Sequence, residues 1–354
     1  MKKRTIAAIS FVSILLVFFC VTCAPTAEAP PPTTPVSQPV KTFEWKFQSH
    51  WPAASASYAP FKKFCEEEIL KLTDNRLKIT VYPADTFMPT KDLFEAWRTN
   101  SLQGGTGSVY WTSAVPLEAV SGNCPFAFRD AWEVQYFHMQ LGFEDALKKA
   151  HEAQGVMYWT EKWFPTAMIS KKPIVTLADL KGLKVRSSGA IADMLKDVGA
   201  SPTMIAGAEI YTALQTGVVD AAHWGAAIGA YSMKFHEVAK YYVQPNLAFC
   251  ATDWVGISKK AWDELPKDIQ LIVDLALKER AWDRSNEYYL DEMDALIAMT
   301  TKHGVKVTTL DAEAQKAMAA AAAKAWDKVA AMSPENAHWV GVMKDFLRKL
   351  GYIQ

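Results

Sequence analysis

The feature that most constrains the fold is a run of about 37 residues, 267–303, that contains neither proline nor glycine. Pro266 precedes the run and Gly304 follows it, as suits the first turn and the C-terminal end of a helix. At 1.5 Å per residue, an unbroken helix here is about 55 Å long, which exceeds one small domain. We expect this helix to run along two lobes. A helix broken once is the alternative.

The residues before this run alternate short strands with helices. Residues 43–47, for example, alternate apolar and polar side chains, as a half-buried strand does. Strands are predicted at 43–47, 78–82, 108–111, 183–186 and 218–224, and helices at 58–72, 91–99, 191–198 and 311–331. This rhythm predicts an α/β fold with a largely parallel sheet.

The overall composition excludes several classes of protein. The chain is 50% hydrophobic and 12% aromatic, so it has ample surface to bury and disorder is excluded as its main state. Lys and Arg total 38 and Asp and Glu total 38, which leaves no electrostatic case for a nucleic-acid or anionic-membrane partner.

The first residues have the pattern of an export signal. Lys2, Lys3 and Arg4 form a basic segment, and residues 6–19 are uncharged and mostly apolar. The apolar run is short for a membrane span, so we interpret 1–22 as a signal peptide. An uncleaved N-terminal anchor is the alternative.

Cys23 follows that segment and begins a proline-rich stretch. A cysteine directly after an export signal resembles the lipidation site of a bacterial lipoprotein. Six prolines lie between 25 and 40, as in a semi-rigid tether, here 23–41. The interpretation is a periplasmic or extracytoplasmic protein anchored to a membrane through lipid on Cys23. Plain secretion is the alternative.

Motifs that carry catalysis or cofactors are absent from the sequence. There is no GxSxG, and His151-Glu152 and His236-Glu237 lack the second histidine of a zincin helix. The glycine-rich residues 104–108 have no following lysine, and we expect a turn there. The remaining cysteines, Cys65, Cys124 and Cys250, suit buried thiols. Nothing in these motifs calls for an enzyme, and an enzyme stays the alternative; the prediction is no enzyme activity, no cofactor and no metal.

Several segments together resemble one family. Residues 179–186 read Asp-Leu-Lys-Gly-Leu-Lys-Val-Arg, like the signature strand of the extracytoplasmic solute receptors of tripartite ATP-independent periplasmic (TRAP) transporters, the DctP-type family. Further resemblance lies at 125–130, 199–202, 209–220 and 258–266, and these segments follow the family's order over roughly residues 43–350.

The resemblance implies a fold and a role. It implies two α/β lobes joined by crossing strands and by the long helix, with a ligand cleft between them, as in periplasmic binding proteins. The expected lobe boundaries are 42–162 with 250–285 for the first lobe, and 163–249 with 286–354 for the second. The implied partners are a small organic acid and the membrane subunits of a TRAP permease. A ligand-sensing receptor and a periplasmic enzyme on the same scaffold are the alternative functions.

The resemblance also implies that Arg186, at the end of the signature strand, pairs with a substrate carboxylate. A guanidinium presents a planar fork that matches the two carboxylate oxygens. The alternative is an ordinary salt bridge.

The next strand ends in His223-Trp224, where the 2-oxo-acid branch of the family has Glu-Trp, with the Glu helping to hold a metal. Histidine is a poor ligand for Na⁺ or Ca²⁺, so we expect no metal here. We expect His223 instead to hydrogen-bond the ligand, as a neutral donor or as a cation. A plain core histidine is the alternative.

Aromatic residues near strand ends are candidates for the cleft walls, namely Tyr110, Trp111, Trp163, Trp224 and Trp254. We expect about half of such aromatic residues to be buried in the core rather than to line the cleft. Residues 163–168 lack the second arginine of dicarboxylate-binding relatives. The prediction is a monocarboxylate with an apolar or aromatic tail, including 2-oxo and 2-hydroxy acids.

Overall fold

The structure is a computed structural model that describes residues 41–354, except for the side chains of 122, 123 and 250. The predicted signal peptide (1–22), the lipidation site Cys23 and the tether as far as residue 40 lie outside the described residues.

Nine strands form one sheet within the described residues. They are β1 (Phe43–Gln48), β2 (Leu77–Tyr82), β3 (Gly104–Gly107), β4 (Val156–Ser170), β5 (Lys184–Arg186), β6 (Ser201–Thr203), β7 (Ala221–His223), β8 (Tyr241–Ser258) and β9 (Lys306–Thr309). The strand order is β2-β1-β3-β8-β4-β7-β5-β6, and β9 pairs with β8.

The described residues also form helices, which are numbered in chain order. The first are α1 (Tyr58–Lys63), a π-helical turn (Phe64–Glu68), α2 (Ile69–Leu72), a 3₁₀ turn (Thr90–Asp92), α3 (Leu93–Thr99), α4 (Glu118–Asn123), α5 (Ala131–Met139) and α6 (Phe143–Glu152). Next are α7 (Leu177–Leu180), α8 (Gly189–Asp197), a 3₁₀ turn (Gly207–Glu209), α9 (Ile210–Thr216), α10 (Ala227–Ser232) and α11 (Phe235–Val238). The last are α12 (Lys259–Asp263), α13 (Lys267–Lys302), α14 (Ala312–Ala330) and α15 (Pro334–Lys349).

The sheet is mixed rather than largely parallel. Of its eight strand pairings in residues 41–354, five are parallel, and the three antiparallel ones all involve β4 or β8. These two long strands pair with each other and run between the β1–β3 strands and the β5–β7 strands. Their register shifts between Thr160 and Lys162 and again between Phe164 and Met168. The α/β fold is confirmed, and the crossing strands supply its antiparallel part.

The glycine-rich segment 104–107 is a central strand, so the expectation of a turn there was wrong. The strand predicted at 108–111 was wrong as well, because a turn follows β3. A Cβ on Gly105 would lie 1.9 Å from the main-chain oxygen of Gln48, and one on Gly107 would lie 2.6 Å from the Trp111 ring. Glycine is required here because the neighbouring backbone and rings pack directly onto the strand.

The long helix α13 is unbroken over its 36 residues, as predicted. Near its N-terminal end, Ile269 and Val273 belong to the apolar cluster built on Trp45 of β1. Near its C-terminal end, Ala295 and Met299 belong to a different cluster, which contains Ile169 and Ile210. Ala281, between them, belongs to a third cluster, so this one helix contributes to three apolar clusters.

The helices predicted at 58–72, 91–99, 191–198 and 311–331 are all present, the first with a π-helical turn in its middle. Cys65 and Cys124 are buried, as expected of core thiols. Among residues 41–354, none of the helices combines the length and the apolar character that a membrane span requires.

Candidate ligand-binding site

The candidate site lies where the carboxyl ends of two sets of parallel strands meet. Arg186 is the last residue of β5 and His223 the last residue of the neighbouring parallel strand β7. His50 and Tyr110 follow the ends of β1 and β3, which are also parallel neighbours. Side chains that follow the carboxyl ends of parallel strands form the usual binding crevice of α/β sheets.

An inner chamber of about 70 Å³ lies between these strand ends. The residues that line it are mostly polar and include Arg186, His223 and Asp253. Its aromatic wall consists of Trp51, Tyr110, Phe164, Trp224 and Tyr288. Phe164 and Thr166 come from β4, at the point where its pairing with β8 is irregular.

An outer chamber of about 430 Å³ borders the same site. It shares four lining residues with the inner chamber: His50, Tyr110, Arg186 and Trp224. Its other walls are the segments 84–91 and 204–208, together with Pro52. The four shared residues therefore stand between a small polar space and a larger one.

Arg186 is a buried cation without an acidic partner. Its side chain is 3% exposed, and none of the described carboxylates lies within ion-pair distance of it. Its Nε donates to the carbonyl of Ile205 at 3.0 Å, and its Nη1 donates to the carbonyl of His223 at 2.8 Å. Burial lowers its pKa from the ordinary value. A buried charge is expensive unless paired, so this guanidinium is suited to an anion.

Trp224 and His223 complete the surroundings of that cation. The Arg186 guanidinium lies 5.1 Å from the centre of the Trp224 ring, within cation–π range. His223 is buried, and its Nδ1 has no hydrogen-bond partner in the structure. Burial and the positive charge of Arg186 lower the pKa of His223 to about 3. His223 is therefore neutral near pH 7.

Tyr110 also lines the inner chamber, together with Arg186 and Asp253. Burial raises the pKa of its hydroxyl to about 12; Arg186 acts on it in the opposite direction and Asp253 in the same direction. Both charged groups are thus close enough to influence Tyr110. Its hydroxyl stays protonated and can donate a hydrogen bond to a ligand.

Asp253, which also lines the inner chamber, begins a buried chain of ionic groups. Asp253 accepts from Lys162 and lies 3.4 Å from Nε2 of His50. Lys162 also lies 3.1 Å from Glu161, which in turn accepts from Arg280 of α13 at 2.7 Å. Burial opposes ionisation of Asp253, but Lys162 and His50 outweigh it and hold its pKa below the ordinary value. The Asp253 charge is therefore compensated, whereas that of Arg186 is not.

Residues 47–333 match the family model for DctP, described as bacterial extracellular solute-binding protein, family 7. That match covers well over half of the chain. The chain belongs to the DctP family. The resemblance seen in the sequence is confirmed, and the protein is a TRAP-type solute-binding receptor rather than an enzyme.

Individual DctP-family relatives are distant in sequence and similar in fold. The monocarboxylate 2-oxoacid-binding periplasmic protein of Nostoc sp. is 24% identical over 272 residues, which is 72% of this chain and 71% of the relative. A TRAP periplasmic solute-binding protein from Pseudoalteromonas atlantica, solved with sodium and pyruvate, has a TM-score of 0.80 at 25% identity and covers 88% of this chain and 95% of its own.

A TRAP transporter solute-binding protein from Bordetella bronchiseptica, solved with calcium and picolinate, also has a TM-score of 0.80. It is 22% identical and covers 88% of this chain and 93% of its own. The two solved structures show that the chain has the fold of the two-lobe TRAP receptors.

The structure brings together four of the seven residues predicted for the DctP-family site. Arg186, His223, Trp224 and Tyr110 line the inner chamber. The other three, Trp111, Trp163 and Trp254, are buried and line neither chamber. The Trp111 and Trp254 rings pack against each other and Trp97, while the Trp163 ring faces His138 and Trp282.

Sequence reasoning missed His50, Asp253 and Tyr288. His50 had an available signal, because it follows the end of the first predicted strand by three residues, where crevice residues of α/β sheets lie. Asp253 and Tyr288 had none. Asp253 lies within the long strand β8, and Tyr288 is one of many aromatic residues on helices.

At His223 the site does not offer the oxygen ligand that a hard cation such as Na⁺ or Ca²⁺ prefers. The His223 carbonyl already accepts from Arg186, and the His223 ring offers nitrogen where such ions prefer oxygen. The nearby uncompensated guanidinium also repels a cation. Elsewhere in the described part of the chain, no group of three or more His, Cys, Asp or Glu side chains is placed to hold a metal.

Proposed function

We propose that this receptor captures an organic acid by pairing its carboxylate with Arg186 and delivers it to the membrane subunits of a TRAP permease. The observation that supports the proposal is the buried Arg186 guanidinium, which is held by neutral acceptors and has no acidic partner within residues 41–354 as the structure describes them. In a closed, dry cleft a bidentate carboxylate would supply the missing charge.

The ligand is a monocarboxylate with an apolar or aromatic tail, in the class of 2-oxo or 2-hydroxy acids. Arg186 is the one uncompensated cation that lines the inner chamber in the described structure, which suits one carboxylate better than two. The relative from Nostoc, named for monocarboxylate 2-oxoacids, and the pyruvate-bound neighbour support this class.

His223 acts in this proposal as a neutral hydrogen-bonding group. Its lowered pKa and its unpartnered Nδ1 favour contact with the 2-oxo or 2-hydroxy oxygen over pairing with the carboxylate as a cation. Binding then requires neither Na⁺ nor Ca²⁺.

The receptor closes around the ligand in this account. The proposed lobes are 42–162 with 250–285 and 163–249 with 286–354, joined where β4 and β8 cross. A ligand held by Arg186 from one side and by His50 and Tyr110 from the other favours the closed form by differential contact. We further propose that lipid on Cys23 and the tether 23–41 hold the receptor at a membrane.

A thermal-shift screen of carboxylates, with mass spectrometry of ligand co-purified with the protein, tests the proposal. We expect stabilisation by 2-oxo or 2-hydroxy monocarboxylates and none by the matching amides, which lack the charge. Stabilisation by amides or sugars alone would refute the carboxylate assignment.

A further inference from the structure

The outer chamber has a place in ligand recognition that the Arg186 pairing alone does not explain. We infer that the ligand spans both chambers, with its carboxylate and 2-oxygen in the inner chamber and an apolar tail of about four carbons in the outer one. This inference rests on the proposed function and specifies the ligand's size and shape.

The first observation is the difference in volume between the two chambers. One water molecule needs about 10–15 Å³ of such space, so the inner 70 Å³ holds about five water-sized groups. A carboxylate, the next carbon and its oxygen amount to five non-hydrogen atoms. The inner chamber is then full, whereas the outer chamber, at 430 Å³, is about six times larger.

The second observation is the apolar surface that lines part of the outer chamber. Pro52, Pro89, Met204 and Ala208 present apolar surface to it. Met204 is 54% exposed, a large apolar side chain without full cover in the structure. An apolar tail would bury this surface, at roughly 25 cal/mol for each Å² removed from water.

The third observation concerns Trp224, which lines both chambers. A Cβ on Gly207 would lie 2.5 Å from the edge of the Trp224 ring, so the ring packs directly onto the segment 204–208. The Arg186 guanidinium lies 5.1 Å from the centre of the same ring. A carboxylate on Arg186 therefore has the outer chamber directly beside it.

The test compares two acids that share a headgroup: pyruvate and 4-methyl-2-oxopentanoate. Calorimetry measures both on the wild type, on Ala208→Phe and on Ala206→Phe, a second variant that fills the same chamber. Both positions are exposed in the segment 204–208. Ala320→Phe, at an exposed position of α14 outside both chambers, is the matched control.

We expect the wild type and Ala320→Phe to bind the longer acid at least about tenfold more tightly than pyruvate. Filling the outer chamber should weaken the affinity for the longer acid at least about tenfold and should change the affinity for pyruvate less than about threefold. Equal loss for both acids in the filled variants would overturn the inference. Wild-type protein that binds pyruvate as tightly as the longer acid would overturn it and leave the proposed function standing. Failure of the wild type to bind either acid would refute the proposed ligand class and the inference together.

Discussion

The Nη1 of Arg186 donates to the main-chain carbonyl of His223 at 2.8 Å, which ties together the ends of the neighbouring strands β5 and β7. Among the residues that the structure describes, the acceptors of this guanidinium are neutral, and its Nη2 contacts the Met204 sulfur at 3.8 Å. The bond thus orients the cation without neutralising it. An oriented and uncompensated guanidinium is ready to bind a carboxylate without rearranging, which lowers the cost of binding.

His223→Gln should leave the shape of the pH profile of ligand affinity unchanged between pH 5 and 8. The reason is that the pKa of His223 is about 3, so the ring does not titrate in this range. Glutamine retains a neutral donor. Calorimetry at several pH values measures the profile for both proteins. A wild-type affinity that falls as pH rises, with no fall in the variant, would show that His223 binds as a cation.

Lys162→Met should destabilise the folded protein by about 3–5 kcal/mol, because Asp253 loses its main compensating charge inside the protein. Urea unfolding measures the change. The double variant Lys162→Met/Asp253→Asn should recover part of the loss. Lys78→Met is the control, because Lys78 and its partner Glu44 are both exposed, and its effect should be small. A small effect of Lys162→Met would contradict the ionic chain as drawn.

Glu292→Gln should flatten the dependence of stability on pH. Burial and the neighbouring Asp291 raise the pKa of Glu292 to about 8. The N–H groups of Ala227 and Ile228, which donate to its carboxylate, act in the opposite direction. The folded protein therefore holds this proton more tightly than the unfolded chain, and stability falls as pH rises from about 4.5 to 8. Thermal unfolding at several pH values across this range measures the change in stability. The control is Glu279→Gln, an exposed position of the same helix. An unchanged slope in Glu292→Gln would rule out the assignment.

Saturating ligand should reduce the radius of gyration in small-angle scattering. The reason is that a ligand that touches residues on both sides of the cleft stabilises the closed form. Arg186→Ala protein at the same ligand concentration is the control and should show no change. No change in the wild type at saturation would count against closure.

The parts of the fold that follow from local sequence were predictable. The helix α13 and the strand β5 depend on residue types within their own segments. The strand β3 could not be predicted in this way. Its glycines are required by the backbone of Gln48, which is far away in sequence, and by the ring of Trp111, which lies beyond the next turn.

The same limit applies to the site. Tyr110 and Trp111 are neighbours in sequence, yet Tyr110 faces the inner chamber while Nε1 of Trp111 donates to the Lys91 carbonyl in the core. The turn after β3 sets these directions, and the sequence pattern does not show it. Arg186 and Trp224 were found because the resemblance to the TRAP receptors marks the ends of these two strands as ligand-binding positions.

The most direct test of the account is calorimetry of the stabilising acid on wild-type protein, Arg186→Ala and Arg186→Lys. Arg348→Ala, at an exposed arginine far along the chain, is the control. We predict that Arg186→Ala loses about 2–5 kcal/mol of binding free energy, because the buried carboxylate loses its partner. Arg186→Lys should lose much of it too, because the planar fork is gone, and Arg348→Ala should bind normally. Wild-type affinity in Arg186→Ala would contradict the claim that this guanidinium captures the ligand.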